Sequence, residues 1–197
     1  MVSALLHAGD QFALEMAAGL IPVRSHAGSW TLTANAPSMR PMAASTSDLA
    51  AMLNLPPDAI LSPTLWVDCG TEQPMIALSS VAHVQACRPD PVLLARFSSN
   101  RAGHAKAYVF ARTEFGFETR YFWLSDKNGL QEDPGTGSAC ANLGGWWMAN
   151  YGSTALAAKI HQGTLIDRPN VLTLRVKDGA IQVGGKVSEI GSGVLHW

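Results

Sequence analysis

The chain is poor in cysteine, in net charge and in long apolar segments. Its three cysteines, Cys69, Cys87 and Cys140, are odd in number and lack CxxC spacing, so we expect free thiols in a reducing compartment rather than a disulfide framework. The formal net charge is −1, from which we infer that no basic face is available for nucleic acid. The longest apolar runs fall far short of the roughly 20 residues that cross a bilayer, which excludes a membrane span.

Several other signals are missing. Residues 1–6 contain no basic region, so a secretory signal is not indicated and we expect a cytoplasmic protein. The histidines include no pair at i and i+4, so no metal site is expected. Residues 135–140 superficially resemble a dinucleotide fingerprint, but the residues before them are polar, and no lysine follows to make a phosphate loop.

Apolar residues, by contrast, make up 47% of the 197 residues, enough to bury a core in one large domain or two small ones. Segments 20–24 and 30–34, joined by a turn at 26–29, predict a hairpin. Adjacent glycines at 144–145 indicate a backbone or a ligand packed against the helix that contains them. The predicted helices are 45–53, 79–87, 90–97 and, most strongly, 138–150. The other predicted strands are 12–18, 61–68, 75–78, 107–112, 118–124, 159–162, 171–177, 180–183 and 186–190.

The most informative segment is 132–140, which reads Glu-Asp-Pro-Gly-Thr-Gly-Ser-Ala-Cys. Proline and glycine favour a tight turn, and Ser138 stands where a helix N-cap is expected. The N–H groups of Gly137, Ser138 and Ala139 would then point outward at the positive end of a helix dipole. An acid beside such an anion-binding turn can hold a carboxylate substrate and move a proton on it. The alternative is structural, with Glu132 and Asp133 only complementing the helix dipole.

This segment resembles the E-D-P-x-T-G-S-A signature of the phenazine biosynthesis PhzF-like family, relatives of diaminopimelate epimerase. Other segments occur in the family's usual order. They are 19–23, 67–70, 88–90, 108–112, 161–163, 168–169 and 183–187. The resemblance implies two similar lobes, each an open β-barrel around a central helix, with the active site between them. The expected fold is therefore α+β, with 138–150 as the central helix of the C-terminal lobe.

The activity implied by the resemblance is isomerisation by proton transfer at carbon, without metal or cofactor, as in converting a dihydro-hydroxyanthranilate to its ketone tautomer. The expected ligand is a small carboxylate. By position, Asp133 matches the family's catalytic aspartate and Ser138 its catalytic hydroxyl. The residues assigned to substrate binding are Thr136, Gly137, Ala139 and, in an earlier loop, Gly70.

The sequence departs from the family pattern in its N-terminal part. Family members are longer, and their N-terminal half supplies a proton-carrying glutamate and a histidine in a G-H-A-T motif. Here His7 is not preceded by glycine, and Glu15 lies in a predicted strand. We therefore expect the C-terminal two-thirds of a member, with impaired isomerisation. Residues 1–11 would be a remnant of the N-terminal lobe, 12–190 the C-terminal lobe, and 191–197 a tail or crossover.

Three functions follow from this interpretation. The chain is an isomerase polypeptide that needs a second half, a non-catalytic module that binds small carboxylates, or a structural remnant buried in a dimer. Apolar surface left by an absent half predicts a homodimer or a complementing N-terminal half in each case. Neither nucleic acid nor a membrane is an expected partner.

Overall fold

A computed structural model describes residues 10–16, 19–127, 129–188, 190–191 and 193–194. The strands are β1 (Gln11–Met16), β2 (Gly19–His26), β3 (Ser29–Thr33), β4 (Ser38–Pro41), β5 (Leu65–Asp68), β6 (Glu72–Ala77), β7 (Lys106–Thr113), β8 (Gly116–Ser125), β9 (Gly129–Asp133), β10 (Leu156–Gln162), β11 (Asn170–Lys177) and β12 (Ala180–Lys186). The α-helices are α1 (Thr46–Leu53), α2 (Val81–Ala86), α3 (Pro91–Phe97) and α4 (Gly137–Tyr151). Short 3₁₀ turns cover Pro57–Ala59 and Thr164–Ile166.

The strands form one mixed sheet in the order β1-β2-β3-β12-β11-β10-β8-β7-β6-β5-β4, and β9 pairs with β8 beside this path. Most neighbours are antiparallel, whereas β10 with β8 and β6 with β7 are parallel. The sheet does not close, because β1 and β4 remain its two edges. The α+β class is confirmed, and the expected open barrel is one open sheet that curls around α4.

Helix α4 is enclosed by this sheet. Every residue from Ala139 to Trp147 is buried, so the helix has no solvent face along that stretch. A helix that is apolar all round requires burial on all sides to be stable. It packs against β5 and β6 near one end of the sheet and against β11 and β12 further along it. The sheet therefore has to curve around α4.

A second apolar layer lies on the other side of the same strands. Along β7, Tyr108 and Phe110 belong to the core around α4, whereas Ala107, Val109 and Ala111 belong to a separate core. This second core is covered by the three short helices, which contribute residues such as Leu49, Val84 and Leu94. Because side chains alternate across a strand, one apolar strand serves both layers.

Local signals located most elements. The predicted hairpin at 20–34 is present as β2 and β3. Ser45 caps α1 with a capping box, and Ser80 and Asp90 cap α2 and α3 through their side chains. The strand predicted over 61–68 is present only as Leu65–Asp68, and the separate strand predicted over 186–190 is wrong, because β12 continues from Ala180 and ends at Lys186.

The two adjacent glycines of α4 are required for a different reason from the one predicted. A Cβ at Gly144 would lie 2.7 Å from Ile181 Cγ2, and a Cβ at Gly145 would lie 2.7 Å from Val67 Cγ1 and 2.8 Å from Pro37 Cβ. The expectation of a backbone or ligand against this face is therefore wrong. Side chains from opposite parts of the curled sheet occupy the space instead.

The outer surface of β2, β3, β12, β11 and β10 is basic. The outward positions of these strands carry Arg24, Lys159, Arg175, Lys177 and Lys186, and the five strands contain no aspartate or glutamate. We call this surface the basic sheet face. The inference from net charge that no basic face exists is wrong, because the balancing acids lie on other elements. The absence of a nucleic-acid partner stays a prediction.

Some expectations concern residues outside the described ranges. The helix tail predicted for the first six residues lies there, as do most of the predicted remnant 1–11 and much of the tail 191–197. The domain boundaries therefore stay predictions. In the ranges that are described, no helix is long and apolar enough to cross a membrane.

Replacing Gly144 by alanine tests the close approach of α4 to the sheet. We expect the Gly144→Ala variant to lose about 1–3 kcal/mol of unfolding free energy, because the new methyl group overpacks against Ile181. Urea denaturation followed by circular dichroism measures the change.

The matched control is Gly137→Ala in the first turn of the same helix. A Cβ there meets nothing within 4 Å, so we expect a gain of about 0.5–1 kcal/mol from reduced freedom of the unfolded chain. Equal stability changes in the two variants would contradict the packing argument.

Candidate functional site

A cavity of about 260 Å³ lies at the N-terminal end of α4. We call it the helix-end cavity. One wall is apolar and comes from strands β1 to β3 and the residue that follows them; the facing wall comes from the loop between β5 and β6 and the start of α4. The residues that line it are Met16, Ile21, Leu32, Ala34, Cys69, Gly70, Thr71, Gly137, Ser138 and Ala141. None of these lining residues, as far as the chain is described, carries a charge.

The start of α4 presents backbone donors to this cavity. The N-cap is Thr136, and the first intrahelical bond runs from the Cys140 N–H to the Thr136 carbonyl at 3.0 Å. The N–H groups of Gly137, Ser138 and Ala139 therefore have no acceptor within the helix. Gly137 and Ser138 line the cavity, whereas Ala139 is fully buried. The prediction of Ser138 as N-cap is wrong by two positions, because the helix begins at Gly137.

A buried amide network orients the hydroxyl of Ser138. The Asn142 Oδ1 accepts the Cys69 N–H at 2.9 Å, and its Nδ2 donates to the Thr71 carbonyl at 2.8 Å. These two backbone groups determine which end of the Asn142 amide is nitrogen. The same Nδ2 donates to the Gln73 Oε1 at 2.8 Å, so the Gln73 Nε2 is left to donate to the Ser138 Oγ at 3.0 Å. Because its oxygen accepts that bond, the Ser138 hydroxyl has its own hydrogen free to donate to a ligand.

Asp133 supports the turn before α4. Its Oδ2 accepts the Thr136 hydroxyl at 2.7 Å, and its Oδ1 accepts the Gly135 N–H at 3.3 Å. Gln162 holds the same turn, since its Nε2 donates to the Asp133 carbonyl at 2.6 Å and its Oε1 accepts the Thr136 N–H at 3.3 Å. Asp133 is half-buried and does not line the helix-end cavity.

Glu132 forms an ion pair with Arg120 instead of complementing the dipole of α4. Its carboxylate forms a two-pronged ion pair with Arg120, at 2.9 Å to Nε and 2.7 Å to Nη2. Both side chains are about nine-tenths buried. The third nitrogen of Arg120 donates to backbone carbonyls at the end of α2, including that of Cys87 at 2.8 Å. The pair therefore ties β8 and β9 to the outer helical layer.

The cysteine at the cavity is a poor nucleophile. Burial, reinforced by the charge of Asp68, raises the pKa of the Cys69 thiol to about 12. Burial also raises the pKa values of Cys87 and Cys140 to about 12. Burial raises the pKa of Tyr121, whose hydroxyl lies 3.4 Å from the Gln73 Nε2. All of these groups are protonated at neutral pH.

The structure brings only part of the predicted site together. Gly70, Gly137 and Ser138 line one cavity. The Gly70 N–H is already bonded to the Asp68 Oδ1 at 2.7 Å, so Gly70 contributes space rather than a donor. Thr136 is buried, and its hydroxyl and N–H are bonded within the protein. The functional roles assigned to these residues stay predictions.

Sequence reasoning missed the buried amides Gln73, Asn142 and Gln162. Each is 2% exposed or less, and a buried amide in an apolar segment is a signal that such a residue is hydrogen-bonded for a purpose. It also missed the apolar wall of β1 to β3, whose alternation was visible but whose position opposite the helix was not. Among the described residues, no group of three histidine, cysteine or acidic side chains could hold a metal ion.

The comparisons with known proteins identify the family. A family model described as phenazine biosynthesis-like protein, PhzC-PhzF, matches residues 1–194. The chain belongs to this family. The match covers nearly the whole chain, so it does not confirm that the chain is the C-terminal two-thirds of a PhzC-PhzF protein, which stays a prediction.

Relatives of this PhzC-PhzF protein are described as isomerases. An uncharacterized isomerase from Pasteurella multocida is 39% identical over 131 residues, which are 66% of this chain and 43% of the relative. An uncharacterized isomerase from Pseudomonas aeruginosa is 29% identical over 77% of this chain and 52% of the relative. The chain thus spans about half the length of these curated relatives.

Solved structures show the same fold. A PhzF-family phenazine biosynthesis protein from Bacillus anthracis superposes with a TM-score of 0.76 at 17% identity, covering 94% of this chain and 70% of that one. A predicted epimerase from Pseudomonas aeruginosa gives a TM-score of 0.69 at 22% identity, covering 96% and 72%. At such identities the likeness establishes the fold alone.

The Glu132–Arg120 pair is testable by its effect on stability. We expect Glu132→Gln to cost about 3–5 kcal/mol of unfolding free energy, because it leaves the Arg120 charge buried without a partner. Urea denaturation measures the loss. The control Glu114→Gln removes an exposed carboxylate from a turn and should change stability by less than about 0.5 kcal/mol. A Glu132→Gln variant as stable as that control would disprove the structural role.

The pKa of Cys69 predicts how its alkylation depends on pH. With a pKa of about 12, only about one thiol in 10⁴ is ionised at pH 8, and the thiolate is the reactive form. We expect iodoacetamide to label native Cys69 slowly at pH 8, with a rate that rises about tenfold per pH unit up to pH 10. Mass spectrometry of tryptic peptides measures the rate, and the protein in urea is the control. Labelling at the rate of the unfolded chain at pH 8 would show that the thiol is not protected.

Proposed function

We propose that the chain acts in a cofactor-free isomerisation, in which a proton moves on carbon in a small carboxylate held in the helix-end cavity. The observation that carries the proposal is the set of unbonded donors at the start of α4. The N–H groups of Gly137 and Ser138 and the hydroxyl of Ser138 all border an uncharged cavity. Membership of a family whose relatives are named isomerases supports the same reaction class.

In the proposed binding step, backbone N–H dipoles at the start of α4 hold the carboxylate, and no positively charged side chain takes part. A carboxylate oxygen accepts the N–H groups at the end of the α4 dipole, where negative charge is stabilised by about 0.3–1 kcal/mol or more in a partly buried site. The Ser138 hydroxyl adds one donor, since Gln73 already occupies its acceptor side. As electron density moves toward the carboxylate during proton abstraction, these preorganised donors stabilise it more strongly.

In this proposal Ser138 and Asp133 are the catalytic residues. Support for Ser138 is its place on the cavity wall. Support for Asp133 is its position at the end of β9, opposite Tyr121 in the strand register and directly before the turn that begins α4. Asp133 does not line the cavity as it stands. Its Oδ1 holds only one long bond, 3.3 Å to the Gly135 N–H, and in this proposal it breaks that bond to reach the substrate proton.

We also propose that the chain needs a partner. The chain works as a homodimer or with a complementing N-terminal half, which would supply the proton-carrying glutamate and cover the apolar wall. Exposed Met16 and Leu20, at 55% and 69%, are apolar surface that such a partner would bury. The non-catalytic carboxylate-binding module is the outcome if binding occurs without proton exchange.

A proline at the first helical position tests the donors directly. Gly137→Pro removes one N–H but keeps the helix, because proline is well tolerated at that position. We expect benzoate to bind the variant about 10-fold or more weakly, since a hydrogen bond to a charged group contributes about 1.5–3 kcal/mol. Isothermal titration calorimetry measures the affinity.

The matched control is Gly137→Ala, which keeps the N–H and meets nothing within 4 Å. Benzamide, which lacks the charge, controls for the ligand's ring. If the proline and alanine variants bind benzoate equally, the helix donors do not hold the carboxylate.

Proton transfer can be measured separately from carboxylate binding. Proton NMR in D₂O follows the loss of C–H signals from a panel of small carboxylates with acidic C–H groups, and Asp133→Asn should abolish any exchange. Exchange that persists in Asp133→Asn at the original rate would remove Asp133 from the mechanism.

A further inference from the structure

The basic sheet face contains a groove of about 490 Å³, larger than the helix-end cavity. Strands β3, β10, β11 and β12 line it, together with the turn between β7 and β8. The side chains that give it chemical character are Thr31, Phe115, Lys159, Thr173, Arg175 and Gln182. Its volume falls in the range of about 300–1,000 Å³ that small-molecule sites occupy.

The strand register arranges these side chains in rows across the sheet. In one row Arg24 pairs with Thr31, Thr31 with Gly184, Gly184 with Thr173, and Thr173 with Lys159. The next outward-facing row, two residues further along each strand, places Gln182 beside Arg175. Because all these positions point to the same face, hydroxyl and amide groups lie between the cations.

A glycine brings two threonine hydroxyls together in the groove. A Cβ at Gly184 would lie 2.8 Å from the hydroxyl oxygens of both Thr31 and Thr173. Any side chain at this position would fill the space between the two hydroxyls. Gly184 itself is buried and does not line the groove, so its contribution is to let the two hydroxyls approach each other closely.

Within the part of the chain that the structure describes, the two cations of the groove form no ion pair. The ion pairs found within the described residues involve Arg40, Arg101, Arg120 and Lys177. Neither Lys159 nor Arg175 belongs to that set. The acids near the groove are Glu118, which pairs with His161 in the register of β8 and β10, Glu114 in the turn before Phe115, and Asp178 beside Lys177. Two cations that form no ion pair within the described residues attract an anion, and the threonine hydroxyls add donors.

One end of the groove is aromatic. The ring of Phe115 belongs to a residue that is 74% exposed, and the Phe115 carbonyl accepts the Lys159 N–H at 3.1 Å. That bond holds the turn against β10, so the ring stands beside the cations rather than on a free loop. A planar ring can stack on Phe115, because an aromatic side chain offers its face to any nucleobase.

We propose that this groove binds a nucleoside monophosphate, with its phosphate between Lys159 and Arg175 and its base on Phe115. The site is independent of the proposed isomerisation, because it lies on the opposite side of the sheet from the helix-end cavity. Inward-facing Ile160, Leu174 and Ile181, each 1% exposed or less, separate the two.

The test uses AMP as the probe and ¹H–¹⁵N NMR titration of the full chain, at low salt and at 150 mM salt. We expect saturable shifts in β10, β11 and β12 that leave the amides of Gly137 and Ser138 unchanged. The double variant Lys159→Gln/Arg175→Gln should bind AMP at least 10-fold more weakly. The same spectra show whether each variant is folded.

A matched double variant separates the groove from the general charge of the face. Lys177→Gln/Lys186→Gln removes the same charge from outward positions of the same strands, outside the groove, and should change AMP affinity less than twofold. Phe115→Ser should weaken AMP several-fold and leave pyrophosphate binding unchanged.

Four results would overturn the proposal. They are no saturable AMP binding at millimolar concentration, equal weakening in the two double variants, shifts centred on the start of α4, and equal effects of Phe115→Ser on AMP and pyrophosphate. A fifth result, binding of a twelve-residue oligothymidylate more than 100-fold tighter than AMP, would overturn it in favour of a nucleic-acid surface.

Discussion

The site depends on one buried side-chain amide in the middle of the central helix. Asn142 is fully buried and bonds the Cys69 N–H, the Thr71 carbonyl and the Gln73 side chain. Without it, a loop from the far end of the sheet would leave backbone groups unsatisfied against an apolar helix, at about 1–3 kcal/mol each. These bonds hold the loop between β5 and β6 against α4, and the helix-end cavity is the space that this arrangement leaves.

The same kind of contact recurs at the other side of the helix start. Gln162, on β10, bonds both the backbone and the side chain of the turn before α4. An amide from a distant strand therefore helps to determine where the turn lies and which of its groups stay unbonded. The donors of Gly137 and Ser138 are available because Asp133, Thr136 and Gly135 already satisfy one another.

One curled sheet carries two different chemistries on its two faces. Inward positions of β10 to β12, such as Ile160, Leu174 and Ile181, form the apolar core around α4. Outward positions one residue away carry lysine, arginine, threonine and glutamine. Because side chains alternate along a strand, the fold can place a small uncharged cavity at one end of its interior and a basic groove on its exterior without conflict.

Local chemistry was sufficient to predict much of the fold. The caps at Ser45, Ser80 and Asp90, the hairpin at 20–34 and the helix after residue 136 each arise from contacts within a few residues. The family signature at 132–140 likewise identified the segment that reaches the cavity. Two local predictions failed. The N-cap is Thr136 rather than Ser138, whose hydroxyl is bonded by the distant Gln73, and β12 ends at Lys186, so the separate strand at 186–190 does not form.

The sequence by itself thus determined most of the elements, though not the strands β4 and β9, together with the position of the central helix and the segment that carries the site. Only the tertiary structure decided that Glu132 pairs with Arg120, that Gly144 meets Ile181, and that five cations share one face of a chain with a net charge of −1. The physical reason is that caps and turns are satisfied by neighbours along the chain. Buried amides, ion pairs and sheet faces are satisfied by residues that only strand order and register bring together.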